Sequence, residues 1–122
     1  MTIEVLPQKF TVCKVQELSA SMLNEPFCFI GKTDKELSIV CESCKVPGKT
    51  LKQEDGWRGF RISETLDFSL VGILSDISTV LSEEHISIFA LSTFDTDYIL
   101  CREDQLHQAL SCLKQRGYMV VI

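Results

Sequence analysis

Apolar positions recur every three to four residues in two stretches of this chain and alternate in several others. Trp57–Ser63 alternates aromatic or apolar with polar residues, which predicts a strand. Leu70, Ile73, Leu74, Ile77, Val80 and Leu81 then form one stripe at helical spacing, with Ser75, Asp76, Ser78, Thr79 and Glu83 off it. Asp67 and Ser69 are the candidate N-caps of this helix, and it should end near His85. Ile86–Thr93 and Asp97–Arg102 read as two strands, and the short connector Phe94-Asp95-Thr96 makes them a hairpin. A second helix fits Glu103–Arg116. Its stripe is Leu106, Ala109, Leu110 and Leu113, with Gly117 as the residue that ends it. Tyr118–Ile122 closes as a strand. The order β-α-β-β-α-β is the ferredoxin-like arrangement. With right-handed crossovers it gives a four-stranded antiparallel sheet with both helices on one face.

The first half is less regular. Lys9–Gln16 reads as a strand, and Pro26–Lys32 and Lys35–Cys41 as a hairpin around Thr33-Asp34. Glu17–Glu25 has room for a short helix. Glu42–Gly56 is polar, contains Pro47 and Gly48, and reads as a loop where a second helix would stand. The expected organisation is therefore α+β in two parts. Residues 1–56 form a degenerate copy of the β-α-β-β pattern, and residues 57–122 form the complete unit.

The chain has 122 residues, 45% of them hydrophobic, enough for one compact domain or two small ones sharing a core. The net charge of −5 argues against nucleic acid, because phosphate neutralisation needs clustered Lys and Arg. The seven basic residues of positions 1–56 are all lysines scattered among eight acids, and positions 57–122 carry five basic residues against nine acidic ones. The N-terminus lacks a basic segment followed by an apolar run, and no stretch of ~18 apolar residues occurs. A cytoplasmic protein without a membrane partner is expected, its six cysteines being thiols and mostly small buried hydrophobes.

Several motifs fail on inspection. Gly48-Lys49-Thr50 and Gly31-Lys32-Thr33 resemble the end of a phosphate-binding loop, but Ser43 and Pro26 stand where its first glycine is needed. Cys41-Glu42-Ser43-Cys44 is a lone CxxC. A structural zinc site needs four ligands, and Val46-Pro47-Gly48 follows where a thioredoxin-type site would open a helix. The pair is read as two thiols, with a weak metal or redox role as the alternative. His85 and His107 are read as solvated surface histidines, and no nucleophile–base pairing is visible.

Two features carry more. Ile86, Ile88, Phe89, Ala90 and Leu91 are apolar on both faces of one strand, which fits a central strand in a larger core, a sheet that packs against a second copy, or both. Asp67, Asp95 and Asp97 fall on two loops at the same end of the expected sheet. Asp in caps and turns usually bonds its own backbone. Beside a helix N-terminus the same carboxylates also suit a zwitterion, with the amides taking a carboxylate and an Asp taking an ammonium. Gly72, expected in the first helical turn at a cost of ~1 kcal/mol relative to Ala, would admit a ligand or a neighbouring backbone.

The run Leu66–Leu110 closely resembles the ACT domain family, and within it the CASTOR-like group of small tandem-ACT proteins. The phrases LDFSLVGIL and SIFALSTFDTDYIL carry the match, and FCFIGKTDKELSIVC and GWRGFRI resemble the group's N-terminal half. The resemblance implies tandem ferredoxin-like ACT units paired side by side, with an amino acid or other small ligand bound at the interface between units. The positions it implies are Ser69, Leu70, Val71, Gly72 and Ile73, then Ser92, Thr93, Phe94 and Asp97, to which the loop chemistry adds Asp67 and Asp95. Leu70 stands where arginine-sensing relatives place an acid, which removes a partner for a guanidinium. The expectation is a non-enzymatic, cofactor-free regulatory protein, a homodimer binding an amino-acid-like ligand. The alternatives are a structural or protein-interaction module without a ligand and, more remotely, a thiol enzyme using Cys41 or Cys44.

Overall fold

The computed structural model describes residues 1–63 and 72–122. The chain divides into two compact units, Gln8–Trp57 and Met1–Pro7 with Arg58–Ile122. The described residues form seven strands and two α-helices: β1 Thr2–Val15, β2 Phe29–Lys32, β3 Leu37–Glu42, β4 Lys52–Ile62, α1 Ile73–Glu83, β5 Ile88–Ser92, β6 Asp97–Arg102, α2 Leu106–Gln115 and β7 Met119–Val121.

Two strands are longer than their hydrophobic pattern predicts. β1 begins at Thr2, seven residues before the expected start at Lys9, and β4 begins at Lys52 inside the expected loop. Ile3 and Val5 alternate with half-buried neighbours, the phase breaks around the exposed Pro7, and a new alternation runs from Thr11 to Val15. Proline cannot donate to a ladder, so a strand that runs through it escapes a search for continuous alternation. In β4, Lys52–Asp55 are exposed and polar and carry no apolar signal.

In the unit holding the C-terminus the strand order is β7-β1-β4-β6-β5. The expected four-stranded sheet thus gains a fifth strand. The start of β1 pairs in parallel with β7 (Thr2↔Met119, Ile3↔Val120, Glu4↔Val121) and stands between β7 and β4. β5 is the end strand of that order, not the central one, and its Ala90 and Ser92 are exposed while Ile88, Phe89 and Leu91 are half-buried. The core consists of Phe60, Ile62, Ile99 and Cys101 from alternate strand positions, Ile3 from β1, Ile77, Val80 and Leu81 from α1, and Ala109 and Leu113 from α2. Both helices therefore pack on one sheet face. Arg61, on the opposite face, forms two hydrogen bonds to the Glu4 carboxylate (3.1 and 3.3 Å) and one to the Tyr98 hydroxyl (3.3 Å), which spends its guanidinium on holding strands.

In the Gln8–Trp57 unit β3 pairs antiparallel with both β1 and β2. Its core is Cys13, Val15, Ile39 and Cys41 with Met22 from a 3₁₀ turn, Ala20–Asn24, that replaces the expected short helix. A second 3₁₀ turn, Ser43–Lys45, follows β3, and no α-helix occurs among the described residues of this unit. Thr11 is fully buried, and its hydroxyl donates to Asp55 Oδ1 (2.8 Å) and lies 2.8 Å from the Ser43 hydroxyl.

The hairpins of the two units match at an offset of 60 residues. Lys32 faces Leu37 as Ser92 faces Asp97, β3 has the burial pattern of β6, and the turn Ser43–Lys45 corresponds to Glu103–Gln105. Phe29 and Phe89, Thr33 and Thr93, Ile39 and Ile99, and Cys41 and Cys101 are identical across that offset. Thr33 N–H donates to the Glu36 carbonyl at 2.9 Å, and Thr93 N–H to the Thr96 carbonyl at 2.9 Å.

Burial sets the thiol chemistry. It pushes Cys41 up to about 12, with neighbouring thiols and Glu42 adding to the shift, and Cys101 up to about 11, where Arg58 opposes the shift and Asp104 adds to it. Cys44 is exposed. Since the thiolate is the attacking form, alkylation of the native protein near pH 8 followed by peptide mass spectrometry should label Cys44 first. Cys13, Cys41 and Cys101 should react only on unfolding. Equal labelling of Cys41 and Cys44 in the native state would contradict the burial described.

Candidate ligand-binding site

The first helix starts differently from the expectation. Asp67 and Ser69, the candidate caps, lie outside the described residues. The helix N-cap is Gly72, in the left-handed region at φ 88°, which has no side chain with which to bond the helix start. Gly72 is therefore not a glycine tolerated at a cost in the first turn. It takes a conformation that side chains with a Cβ rarely adopt. The first helical bond runs from Asp76 N–H to the Gly72 carbonyl at 2.7 Å, so the N–H groups of Ile73, Leu74 and Ser75 have no acceptor within the helix.

This helix start opens on a cavity of about 380 Å³, lined by Met1, Gly72, Ile73, Asp76, Arg116, Gly117 and Tyr118. The fold brings these together because α2 ends at Gln115 and Gly117, at φ 105°, turns the chain back into β7 beside the start of α1. Tyr118 donates its hydroxyl to Asp76 Oδ2 at 2.6 Å. Burial first, and then the Asp76 carboxylate, push that phenol up to about 12. The Arg116 guanidinium lies 3.9 Å from Asp76 Oδ1, with both side chains more than two-fifths exposed. Such a pair is worth little in water, so Arg116 is free to turn to another anion. The cavity thus combines a helix start, an exposed cation and a carboxylate held by Tyr118.

Of the residues singled out from the sequence, Gly72 and Ile73 line this cavity. Asp67, Ser69, Leu70 and Val71 lie outside the described residues. Ser92, Thr93, Phe94, Asp95 and Asp97 sit at the β5–β6 turn and are not among the cavity's lining. Thr96 Oγ1 donates to the Ile62 carbonyl (2.9 Å), which fixes this turn at the C-terminal end of β4, where the chain enters residues 64–71. Ser92 Oγ donates to Asp97 Oδ1 at 2.6 Å, Thr93 closes the turn, and Phe94 is 81% exposed. Asp76, Arg116 and Tyr118 were missed. Each was read only for its place off a helical stripe or at an element end, and no local pattern joins positions some forty residues apart.

Among the described residues no three His, Cys, Asp or Glu side chains are grouped as a metal site, and no helix is long and apolar enough to cross a membrane. The family model for the ACT domain matches residues 52–115, more than half of the 122-residue chain. No curated protein matches. Among solved structures, protein Atu0741 from Agrobacterium tumefaciens is 28% identical with a TM-score of 0.88, over 98% of this chain and 91% of that one. The Clostridium acetobutylicum aspartate kinase, an allosteric enzyme, is 15% identical with a TM-score of 0.66, over 88% of this chain and 33% of that one. The regulatory subunit of aspartate kinase from Thermus thermophilus is 7% identical with a TM-score of 0.63, over 94% of this chain and 96% of that one. The last two share the fold at low identity, and the ACT domain is a regulatory domain. The strand and helix order, the packing of both helices on one sheet face and the family match lead to one conclusion: this chain belongs to the ACT domain family.

Proposed function

We propose that the protein is a non-enzymatic regulatory sensor, a small tandem-ACT protein of the CASTOR-like kind, that binds an amino acid or a similar small zwitterion at the start of α1. The observation that carries this reading is the glycine-led helix start on a cavity that also holds a cation and a carboxylate. The ligand carboxylate sits on the N–H groups of Ile73–Ser75, where the helix dipole favours an anion, and Arg116 swings toward it. The ammonium sits on a carboxylate, Asp97 at the β5–β6 turn or Asp76 in the cavity. Asp67, Ser69, Leu70 and Val71 are the further candidate ligand contacts, with Ser92, Thr93, Phe94 and Asp95 beside Asp97 in the chain. Leu70, where an acid would hold a guanidinium, sets a preference for a neutral or apolar side chain over arginine. The protein acts as a homodimer, for which β5, the end strand among the described residues, offers an edge.

Calorimetry tests the site. Asp97→Asn should weaken amino-acid binding by about 1.5–3 kcal/mol, the contribution of a charge-assisted hydrogen bond, with the fold intact. If Asp76→Asn has that effect instead, the ammonium lies in the cavity. Unchanged affinity in both variants would move the site elsewhere and favour a protein-interaction module.

A further inference from the structure

We infer that the Gln8–Trp57 unit carries a second binding site, for a small organic anion with an apolar body, of the medium-chain carboxylate class. The site is a cavity of about 610 Å³ formed by the end of β1, the residues after it and the β2–β3 hairpin. That volume lies within the range of small-molecule pockets. Its apolar wall includes Leu37, and it exposes Ile30 by 40% and Leu51 by 59%. Leu51 is not loose. Its N–H donates to the Lys14 carbonyl at 2.7 Å, so an anchored backbone holds an apolar side chain in water beside the cavity. A bound hydrocarbon would cover both residues.

The rim is cationic. Lys14, Lys32 and Lys35 all line the cavity, and none forms an ion pair among the described residues. Two acids, Glu17 and Glu36, also line it, and Glu36 is held by the Ser38 hydroxyl, so three ammonium groups stand against two carboxylates and the lining keeps a net positive charge. The hairpin turn is rigid, because Thr33 Oγ1 accepts the N–H groups of Lys35 (3.1 Å) and Glu36 (3.2 Å). Lys32 and Lys35 are therefore presented on a fixed frame. The corresponding turn of the other unit, 60 residues on, is built in the same way but carries Ser92 and Asp95 at their places, and Asp97 where Leu37 stands. One turn scaffold thus bears acids in one unit and lysines above an apolar wall in the other, which suits ligands of opposite charge.

The experiment is titration of the full chain with octanoate, octylammonium and inorganic phosphate, followed by calorimetry and backbone amide shifts. Octanoate should bind and shift amides of Lys14, Ile30–Leu37 and Leu51, with those of Gly72–Asp76 unmoved. Phosphate and octylammonium should bind at least tenfold more weakly. The double substitution Lys32→Glu with Lys35→Glu, at two exposed positions, should lower octanoate affinity at least tenfold while leaving the melting temperature within a few degrees. The inference is overturned if octanoate does not bind at millimolar concentration, if the charge reversal leaves its affinity unchanged, or if phosphate binds as well as octanoate does.

Discussion

Phe60→Ala is expected to remove about 3–5 kcal/mol of stability, the usual cost of truncating a buried aromatic residue. Phe60 has no exposed surface and lies in the core beneath both helices, with Ile77, Leu81, Ala109 and Leu113 in the same cluster. None of these neighbours can close the void without moving a helix off the sheet. Small domains are stable by only about 5–15 kcal/mol in total, so this one truncation removes a large share. Phe94→Ala is the control, because a residue 81% exposed should change stability by no more than about 0.5 kcal/mol. Urea denaturation of the two variants reads the difference, and equal midpoints would contradict the assignment of the core.

Gly72→Val should act twice. At φ 88° a β-branched residue is strained, at a cost of about 1–3 kcal/mol. A Cβ at this position meets nothing within 4 Å, so the loss comes from the backbone and not from a clash. The added side chain would also stand in the open approach to the cavity and should lower amino-acid affinity at least tenfold. Gly72→Asn separates the two effects, since Asn tolerates the left-handed region. It should keep most of the stability and still lose binding. Calorimetry beside thermal melts measures both quantities, and an Asn variant that binds like the wild type would place the ligand away from Gly72.

The parts of the fold that could be read from the chain are those whose signal is local. The stripe Ile73, Leu74, Ile77, Val80, Leu81 identifies α1, and Gly117 ends the second helical segment as its position suggests. The β5–β6 hairpin follows from two apolar runs around a short turn. What escaped depends on distant partners. The insertion of β1 between β7 and β4 joins the two ends of the chain, and Pro7 interrupts the alternation that would have revealed it. The position of Gly72 at the start of α1 is not legible in the chain, because a positive φ leaves no mark on the pattern. Three of the seven residues lining the candidate cavity, Asp76, Arg116 and Tyr118, are polar residues that look like ordinary surface until the return of the chain at Gly117 places them together. The correspondence of the β2–β3 and β5–β6 hairpins rests on their turns and registers, since four identities over sixteen positions from Phe29 to Cys44 and Phe89 to Asp104 carry little weight alone.

A thermal-unfolding screen of the wild-type protein against the individual amino acids tests the central claim most directly. A ligand that binds only the folded state adds about 2.7 kcal/mol at one hundred times its dissociation constant. For a chain of this size that corresponds to a rise of several degrees in melting temperature. The account predicts such a rise with at least one amino acid carrying a neutral or apolar side chain, a smaller one with arginine, and its loss in Gly72→Asn. A melting temperature unmoved by every amino acid at ten millimolar would contradict it.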